Sequence, residues 1–401
     1  MSKHHNKPQH SGSVLDVLIT FLKLGFTSFG GPAAHIGYFR KELVERQGWV
    51  SEGQFAQLLA ICQFLPGPAS SQLGFALGLF RAGWLGALTA FLAFTLPSAF
   101  LLVAFAALLP YLSGDVGAAF IHGLKLVACV VVADAVWGMS KNLCSDAIRR
   151  CIAVAAAVTI LTLGTTWSQL LVVFAGAVAG VLLCRTAISD KQPQLQVAYS
   201  RRVGLILLAS FFALLLFFGM SQSEAGLYGI AQAFYSAGAL VFGGGHVVLP
   251  LLEESVVSSG WVSQPEFLAG YGASQAIPGP MFAFAAYLGA IIPGTDSALL
   301  GAIVALLFMF LPGFLLISAV LPLWQAISQN TTALRAIAGV NAAVVGLLAA
   351  ALYDPIITSA INSWVDVVTA VSGFVLLTTG RLSALGVVLW CVMASLAITL
   401  L

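Results

Sequence analysis

Phe29-Gly30-Gly31-Pro32, Gly48-Trp49-Val50-Ser51 and Gln63-Phe64-Leu65-Pro66-Gly67-Pro68 return later in the same chain. There they read Phe242-Gly243-Gly244-Gly245, Gly260-Trp261-Val262-Ser263 and Gln275-Ala276-Ile277-Pro278-Gly279-Pro280. Trp49 and Trp261 are 212 positions apart, as are Pro66 and Pro278, whereas the glycine clusters are 213 apart, so one indel separates the blocks. Proline lacks an N–H and clashes with the preceding turn, and glycine admits positive φ, so each cluster interrupts a helix. Both copies lie in apolar sequence, where freed backbone groups are tolerated only against protein or a water-filled cavity. Two homologous halves, broken at matching places, are expected of a carrier whose site lies between inverted repeats.

The chain has 401 residues, 60% of them hydrophobic and only 8% charged, against about a quarter charged in soluble domains. Apolar segments run near 14–31, 53–80, 83–109, 116–138, 151–164, 168–185, 203–219, 226–250, 264–292, 297–321, 336–352, 363–379 and 383–401. Many approach the roughly 20 residues needed to span a bilayer. The expected class is an all-α polytopic membrane protein. Its two homologous halves form an inverted-topology repeat, each with two broken helices or helical hairpins followed by transmembrane helices. The formal net charge of +2 says little; the expected partner is the lipid bilayer and not nucleic acid. The polar tail carries His4, His5 and His10 and lacks the apolar region and cleavage site of a secretory signal. It reads as a disordered tail and not as a metal site. The six cysteines, at 62, 129, 144, 151, 184 and 391, form no CxxC pair and read as buried thiols.

Of the seventeen Lys and Arg residues, Lys23 and Lys125 fall within apolar segments and the others in tails or loops. One crossing per segment, with the N-terminus cytoplasmic, strands Arg40, Lys41 and Arg46 outside. Treating the first two segments of each half as hairpins, turning at the glycine cluster and at Pro-Gly-Pro, makes every loop and tail cation cytoplasmic. Five crossings then separate corresponding hairpins. The second pair enters from outside, flanked by Glu253, Glu254 and Glu266. The expected divisions are a disordered cytoplasmic tail (1–13), an N-terminal transport half (14–185) and a cytoplasmic linker (186–202). A connecting transmembrane helix (203–219) and a C-terminal transport half (220–401) follow.

Proline suits the first position of a helix, so Pro32, Pro68 and Pro280 read as starts of second hairpin arms, with Gly245 at the fourth equivalent place. A helix N-terminus offers unpaired N–H groups and roughly half a positive charge. Four such ends converging would hold a small anion without a basic side chain. The candidate substrate-binding residues are Gly30, Gly31, Pro32, Gln63, Pro66, Gly67, Pro68 and Ser70, with Gly243, Gly244, Gly245, Gln275, Pro278, Gly279 and Pro280. Ser71 and Thr27 or Ser28 lie nearby. The alternative is that these small residues merely permit close helix packing; their duplication beside a matched glutamine favours binding.

Other polar residues have two readings each. Lys23 snorkels or pairs with a carboxylate, or it flanks an anion path. Lys125 has His122 one turn before it, and Asp134 either reaches the rim or carries a coupling proton. His35 and His246 titrate in the physiological range and are either structural or coupling groups. Asn341 is helix glue or a ligand. Trp49 and Trp261 read as interfacial anchors.

The segments FTSFGGPAAHIGYFRKE, GWVSEGQFAQLLAICQFLPGP, LVFGGGHVVLPLLEE and GWVSQPEFLAGYGASQAIPGP resemble the chromate ion transporter family in its long, two-domain form, over nearly the whole chain. The resemblance implies a multi-pass protein of the bacterial inner membrane that exports chromate and confers chromate resistance. It also implies coupling to proton motive force or antiport against an oxyanion such as sulfate. Short members are single halves working as oppositely oriented pairs. Gly245 departs from the family's FGGP pattern. Chromate and sulfate are both tetrahedral dianions, and backbone donors alone would struggle to separate them, so sulfate or another small anion is the alternative cargo. A homo-oligomer through 363–401 is a further expectation.

Two other classes compete. A membrane-embedded redox enzyme needs a cofactor, yet no Cys/His cluster, haem motif or dinucleotide loop is present, so neither cofactor nor metal is expected. An anion channel is barely separable from a carrier by sequence.

Overall fold

A computed structural model describes residues 12–400, apart from 113, 164–165, 185–194, 196, 221–223, 243–244, 325–326 and 328–329. Nearly all of the tail, most of the linker, Gly243 and Gly244 therefore lie outside the described residues. No strand occurs among those described.

The first half comprises α1 (Val14–Thr27), α2 (Gly31–Phe39, continued by a π turn over Arg40–Arg46), α3 (Glu52–Phe64), α4 (Ala69–Leu108), α5 (Gly114–Leu143), α6 (Ala147–Leu163) and α7 (Thr166–Leu183). After α8 (Arg201–Gly219) the second half comprises α9 (Leu227–Leu240), α10 (Val248–Val256), α11 (Gln264–Ala276), α12 (Phe284–Ile291), α13 (Ala298–Val320), α14 (Thr331–Ala351), α15 (Trp364–Thr378) and α16 (Ala384–Leu400). The repeated Gly-Trp-Val-Ser block explains where α3 and α11 begin. Ser51 caps Gln54 and Ser263 caps Glu266, each as a reciprocal capping box that satisfies two orphan N–H groups.

The interrupted segments are hairpins. At the first, Gln47 Nε2 donates to Thr20 Oγ1 at 3.3 Å and Lys23 Nζ lies 3.5 Å from Glu42, so the chain returns along α1 after Gly30-Gly31. In α11 and α12, Tyr287 Oη donates to the Glu266 carbonyl at 2.8 Å and Phe267 meets Phe284 edge-on at 5.4 Å. Helix α4 also doubles back: Ala82 and Gly83 leave helical geometry, with Gly83 at φ 66°. A methyl on Gly78 would strike the Gly86 carbonyl, an approach impossible along one straight helix. In the second half the same reversal falls between α12 and α13, where Gly289 meets Gly301.

Five helices among the described residues are long and apolar enough to cross a membrane: Ala69–Tyr111, Gly114–Leu143, Arg201–Gly219, Ala298–Leu323 and Thr331–Ala360. The first is the doubled-back one, whose second arm, from Trp84 onward, is itself about 37 Å long at about 1.5 Å per residue. Helix α8 packs on α13 and α9 and leaves Leu205, Ile206, Leu216 and Phe217 exposed, as a lipid-facing helix requires.

The halves pack reciprocally. Helix α5 lies against α15 and α16, and its counterpart α14 lies against α6 and α7. Gly123 of α5 abuts Val392, while Gly339 of α14 abuts Gly176; Gly373 faces Val130, while Gly346 faces Ala153. Such exchange of equivalent contacts is the signature of an isologous pairing. It also gives 363–401 a role within the chain, as the cover of α5. An aromatic seam joins α4 to α13, with Phe75 stacked on Phe314 at 4.4 Å and Phe91 on Phe310 at 5.0 Å.

Gly346→Ala would drive a methyl into the Ala153 carbonyl, and overpacking of this kind costs about 1–3 kcal/mol. Thermal unfolding of the purified protein should fall by several degrees. Gly138→Ala, where the added methyl meets open space, should leave it level or raised.

Candidate functional site

Helix α1 stops because Gly30 and Gly31 take φ of 97° and 76°, a left-handed conformation that side chains resist. The Pro-Gly-Pro turns need the same freedom, with Gly67 at φ 120° and Gly279 at φ 99°. These breaks meet across the halves. Gly67 N–H donates to the carbonyl of Val241 at 2.7 Å, and Gly279 N–H donates to the carbonyl of Ser28 at 2.9 Å. Val241 and Ser28 are the residues that close α9 and α1. Each half therefore satisfies a helix-end carbonyl of the other, groups that would each cost several kcal/mol if left open at membrane depth.

Pro32 and Gly245, which correspond in the two copies, meet across the halves. A methyl on Gly245 would lie 3.1 Å from Pro32 Cγ and 2.7 Å from Met281 Cε. Equivalent residues that touch one another cannot both be proline, which accounts for the glycine in the second copy. Pro32 falls in the first turn of α2 as expected. Pro68 and Pro280 instead occupy the capping position, one residue before their helices. Helices α2 and α4 begin directly, whereas α10 and α12 follow 3-10 turns at Gly245–Val247 and Met281–Ala283. The four helix starts are thus not alike.

A matched proline inside a continuous helix escaped the sequence reading: Leu96-Pro97-Ser98 in α4 and Leu311-Pro312-Gly313 in α13. Gly67 approaches Gly313, with 3.0 Å from an added methyl to its Cα, and Gly279 approaches Ser98, with 2.8 Å to Oγ. The 215-residue spacing was available as a signal, but one proline in an apolar run carries little weight alone.

The matched glutamines part company. Gln63 is exposed, whereas Gln275 is buried and donates to Ser274 Oγ at 3.1 Å. Gln72, not foreseen, is buried and donates to the Pro66 and Gly313 carbonyls at 2.9 and 3.0 Å. His35 is fully buried, its Nδ1 3.4 Å from Ser70 Oγ and its ring edge-on to Phe94. His246 Nδ1 lies 2.6 Å from the Tyr271 hydroxyl.

Two mouths differ in charge. Between the arms of the first hairpin lies a cavity of about 450 Å³ lined by Lys23, Thr27, Lys41, Glu42, Glu45 and Arg46. Lys23 faces this cavity and pairs with Glu42, the carboxylate partner its first reading called for, and Arg46 pairs with the same group at 3.0 Å. Partial burial pushes the Glu42 carboxyl up, but Gln47, Lys23 and Arg46 outweigh it and hold the group below its usual range. A second cavity, of about 260 Å³, is lined by Gln169, Pro250, Glu253, Glu254, Ser258 and Asp354 among others.

The remaining polar candidates lie apart from the breaks. Lys125 and Asp134 sit on α5, and neither forms an ion pair among the described residues. His122 instead reaches Asp366 of α15 at 2.8 Å and ties α5 to the other half. Asn341 Oδ1 is buried without a hydrogen-bond partner among the described residues. Trp49 packs on Phe21 and under the Arg81 guanidinium, 5.1 Å from its ring, so it closes the hairpin base.

A duplicated set of broken helices, cross-bonded at its centre and carried by long apolar helices, defines a polytopic membrane transporter. The chain belongs to the chromate transporter family, whose profile matches residues 15–181 and 228–399. It is 29% identical over 343 residues to the chromate transport protein of Pseudomonas aeruginosa, covering 83% of this chain and 79% of that one. Identity to the probable chromate transport protein of Synechococcus elongatus is 31% over 337 residues, covering 83% and 82%. The chromate transport protein of Cupriavidus metallidurans is 27% identical over 376 residues, covering 92% and 88%. No solved structure matches the chain.

Gly245→Pro should place two rings at this contact and abolish transport, and adding Pro32→Gly should restore part of it. Uptake assays on the single and double variants check this; no recovery in the pair would contradict the contact of Pro32 with Gly245.

Proposed function

We propose that this protein exports chromate from the cytoplasm and thereby confers chromate resistance, working by alternating access. The anion is held near the bilayer midplane, at the half-helix N-termini beside the two glycine clusters and the two Pro-Gly-Pro turns. The observation that carries the reading is the reciprocal bonding of Gly67 to Val241 and Gly279 to Ser28. It gathers four chain breaks into one place, where N–H groups and helix dipoles favour an anion. Family membership and the names of the relatives support chromate as cargo.

The halves 14–185 and 220–401 are taken as inverted repeats. Five helical arms lie between corresponding hairpins: the second arm of α4, then α5, α6, α7 and α8. An odd number reverses the second half. The cations around 40–46 and 81 then face the cytoplasm, as does the N-terminus. Outward movement is supported by the mouths: the cytoplasmic cavity carries Lys23, Lys41 and Arg46 against Glu42 and Glu45, a small positive excess, whereas the outer one carries Glu253, Glu254 and Asp354 with no Lys or Arg in its lining. Such a gradient gathers anions on one side and disfavours their return on the other. Sulfate as counter-ion or competing cargo follows from its shared tetrahedral shape.

Inverted membrane vesicles loaded against radiolabelled chromate test the reading. Saturable uptake is expected, with competition by sulfate. Gly67→Ala should lower the rate at least tenfold, since its φ of 120° and the nearby Gly313 both resist a methyl. Uptake that never saturates would favour a channel, and no uptake at all would remove the proposal.

A further inference from the structure

We infer that the hydrogen-bonding subsite for the anion lies wholly within the first half, with His35 as its central donor. This rests on the anion-carrier reading above and deepens it.

The argument begins from buried groups that have nothing to bond. Ser28 Oγ, His35 Nε2, Ser71 Oγ and Thr95 Oγ1 are buried, with no hydrogen-bond partner among the described residues. Their residues are 0%, 0%, 3% and 1% exposed. An unpartnered buried polar group costs about 1–3 kcal/mol, and buried polar groups are otherwise almost always satisfied. Ser28 and His35 meet, Ser71 and Thr95 are the chain neighbours of Ser70 and Phe94, which touch His35, and groups left open in this way call for an occupant.

They belong to one knot of structure. Ser70 Oγ touches His35 Nδ1, the His35 ring abuts Phe94, and Thr95 follows Phe94. Ser28 accepts from Gly279, which packs on Ser98 and the Phe94 carbonyl. When Ser70 donates to Nδ1, the proton rests on Nε2; the Ser28 backbone meets the His35 ring, but its carbonyl already accepts from Gly279, and Nε2 has no aligned partner among the described residues. The helix α2 supplies its N-terminus to the same place, and a methyl built on Gly31 meets nothing within 4 Å. There is room at the first turn. Thr27, the neighbour of Ser28, lines the basic cavity, which gives the knot a route to the cytoplasm.

At the equivalent positions the second half carries none of these groups, and its own buried His246 and Gln275 are already partnered by Tyr271 and Ser274. The counterparts of Ser28 and His35 are Val241 and Val248; those of Ser70 and Ser71 are Phe282 and Ala283; those of Thr95 and Ser98 are Phe310 and Gly313. Backbone symmetry is kept while every polar side chain of the knot becomes apolar. The second half is therefore the wall and the first half the ligand. A tetrahedral oxyanion presents acceptors in all directions and fits a pocket of hydroxyl and imidazole donors. A site with no formal charge also lets the ion leave, as conduction and transport both require.

The test is equilibrium binding of radiolabelled chromate to the purified full-length protein, with thermal unfolding of the same samples. Wild type should bind saturably. His35→Gln should raise Kd about tenfold or more, the equivalent of about 1.4 kcal/mol. Thr95→Val keeps the shape, so it should raise Kd about fivefold while leaving the anion-free unfolding midpoint level or higher, because it removes an orphaned hydroxyl. A purely structural hydroxyl, or one bonded to a buried water, would show the reverse: a lower midpoint and an unchanged Kd. Val248→Ala, at the counterpart of His35, should stay within twofold. Wild-type affinity in both His35→Gln and Thr95→Val would overturn the subsite alone. Wild-type protein that binds neither chromate nor sulfate would overturn the carrier reading and the subsite together.

Discussion

Two backbone hydrogen bonds organise this molecule. Gly67 and Gly279 each donate to the last carbonyl of a broken helix in the opposite half, Val241 and Ser28. In water such bonds contribute about 1 kcal/mol each. At membrane depth the alternative is an unpaired carbonyl in hydrocarbon, and the penalty is several times larger. The broken helices are tenable because each half completes the other. Their proximity in turn fixes what surrounds them: glycine where the turns need left-handed φ, Pro32 against Gly245, and Pro97 and Pro312 in the helices behind the turns.

Symmetry of backbone and asymmetry of side chains divide the labour. Repeated glycines set the same helix contacts twice, with Gly25 against the Ala93 and Phe94 carbonyls and Gly238 against that of Met309. The polar groups, in contrast, collect around His35, while the second copy fills the same positions with Val, Phe, Ala and Gly. Two exchangeable scaffolds suit a device that opens alternately to each side. One set of ligand groups suits a single anion per cycle. The two cavities differ as well: Lys23, Lys41 and Arg46 stand with Glu42 and Glu45 in one, and Glu253, Glu254 and Asp354 line the other.

The hairpins, their turning points and the break between residues 80 and 83 were legible because glycine and proline report backbone geometry directly. Most helix bounds followed to within a few residues, but α5 runs to Leu143 instead of 138, α10 to Val256 instead of 250, and α14 starts at Thr331 instead of 336 and so takes in Arg335. The site was legible only in its backbone. Gln63 and Gln275 match in sequence, each in the last turn of the helix before Pro-Gly-Pro, yet differ in burial, because the break fixes the backbone and not what packs on the turn before it. Ser28 was named only for its place beside the first break, Thr95 carried no local pattern, and the pairing of Gly279 with Ser98 spans some 180 residues, a contact no spacing rule encodes. The exchanged packing of α5 and α14 was equally invisible, since small residues that admit a neighbour do not say which neighbour.

The central claim is that the two halves face opposite leaflets around the cross-bonded turns. Lys41 and Glu254 hold corresponding positions in the two copies, and single cysteines there, in a Cys151→Ser background that removes the exposed native thiol, report sidedness directly. With a membrane-impermeant maleimide, Glu254→Cys should label in intact cells and Lys41→Cys only in inverted vesicles. Labelling of both from the same side would contradict the account.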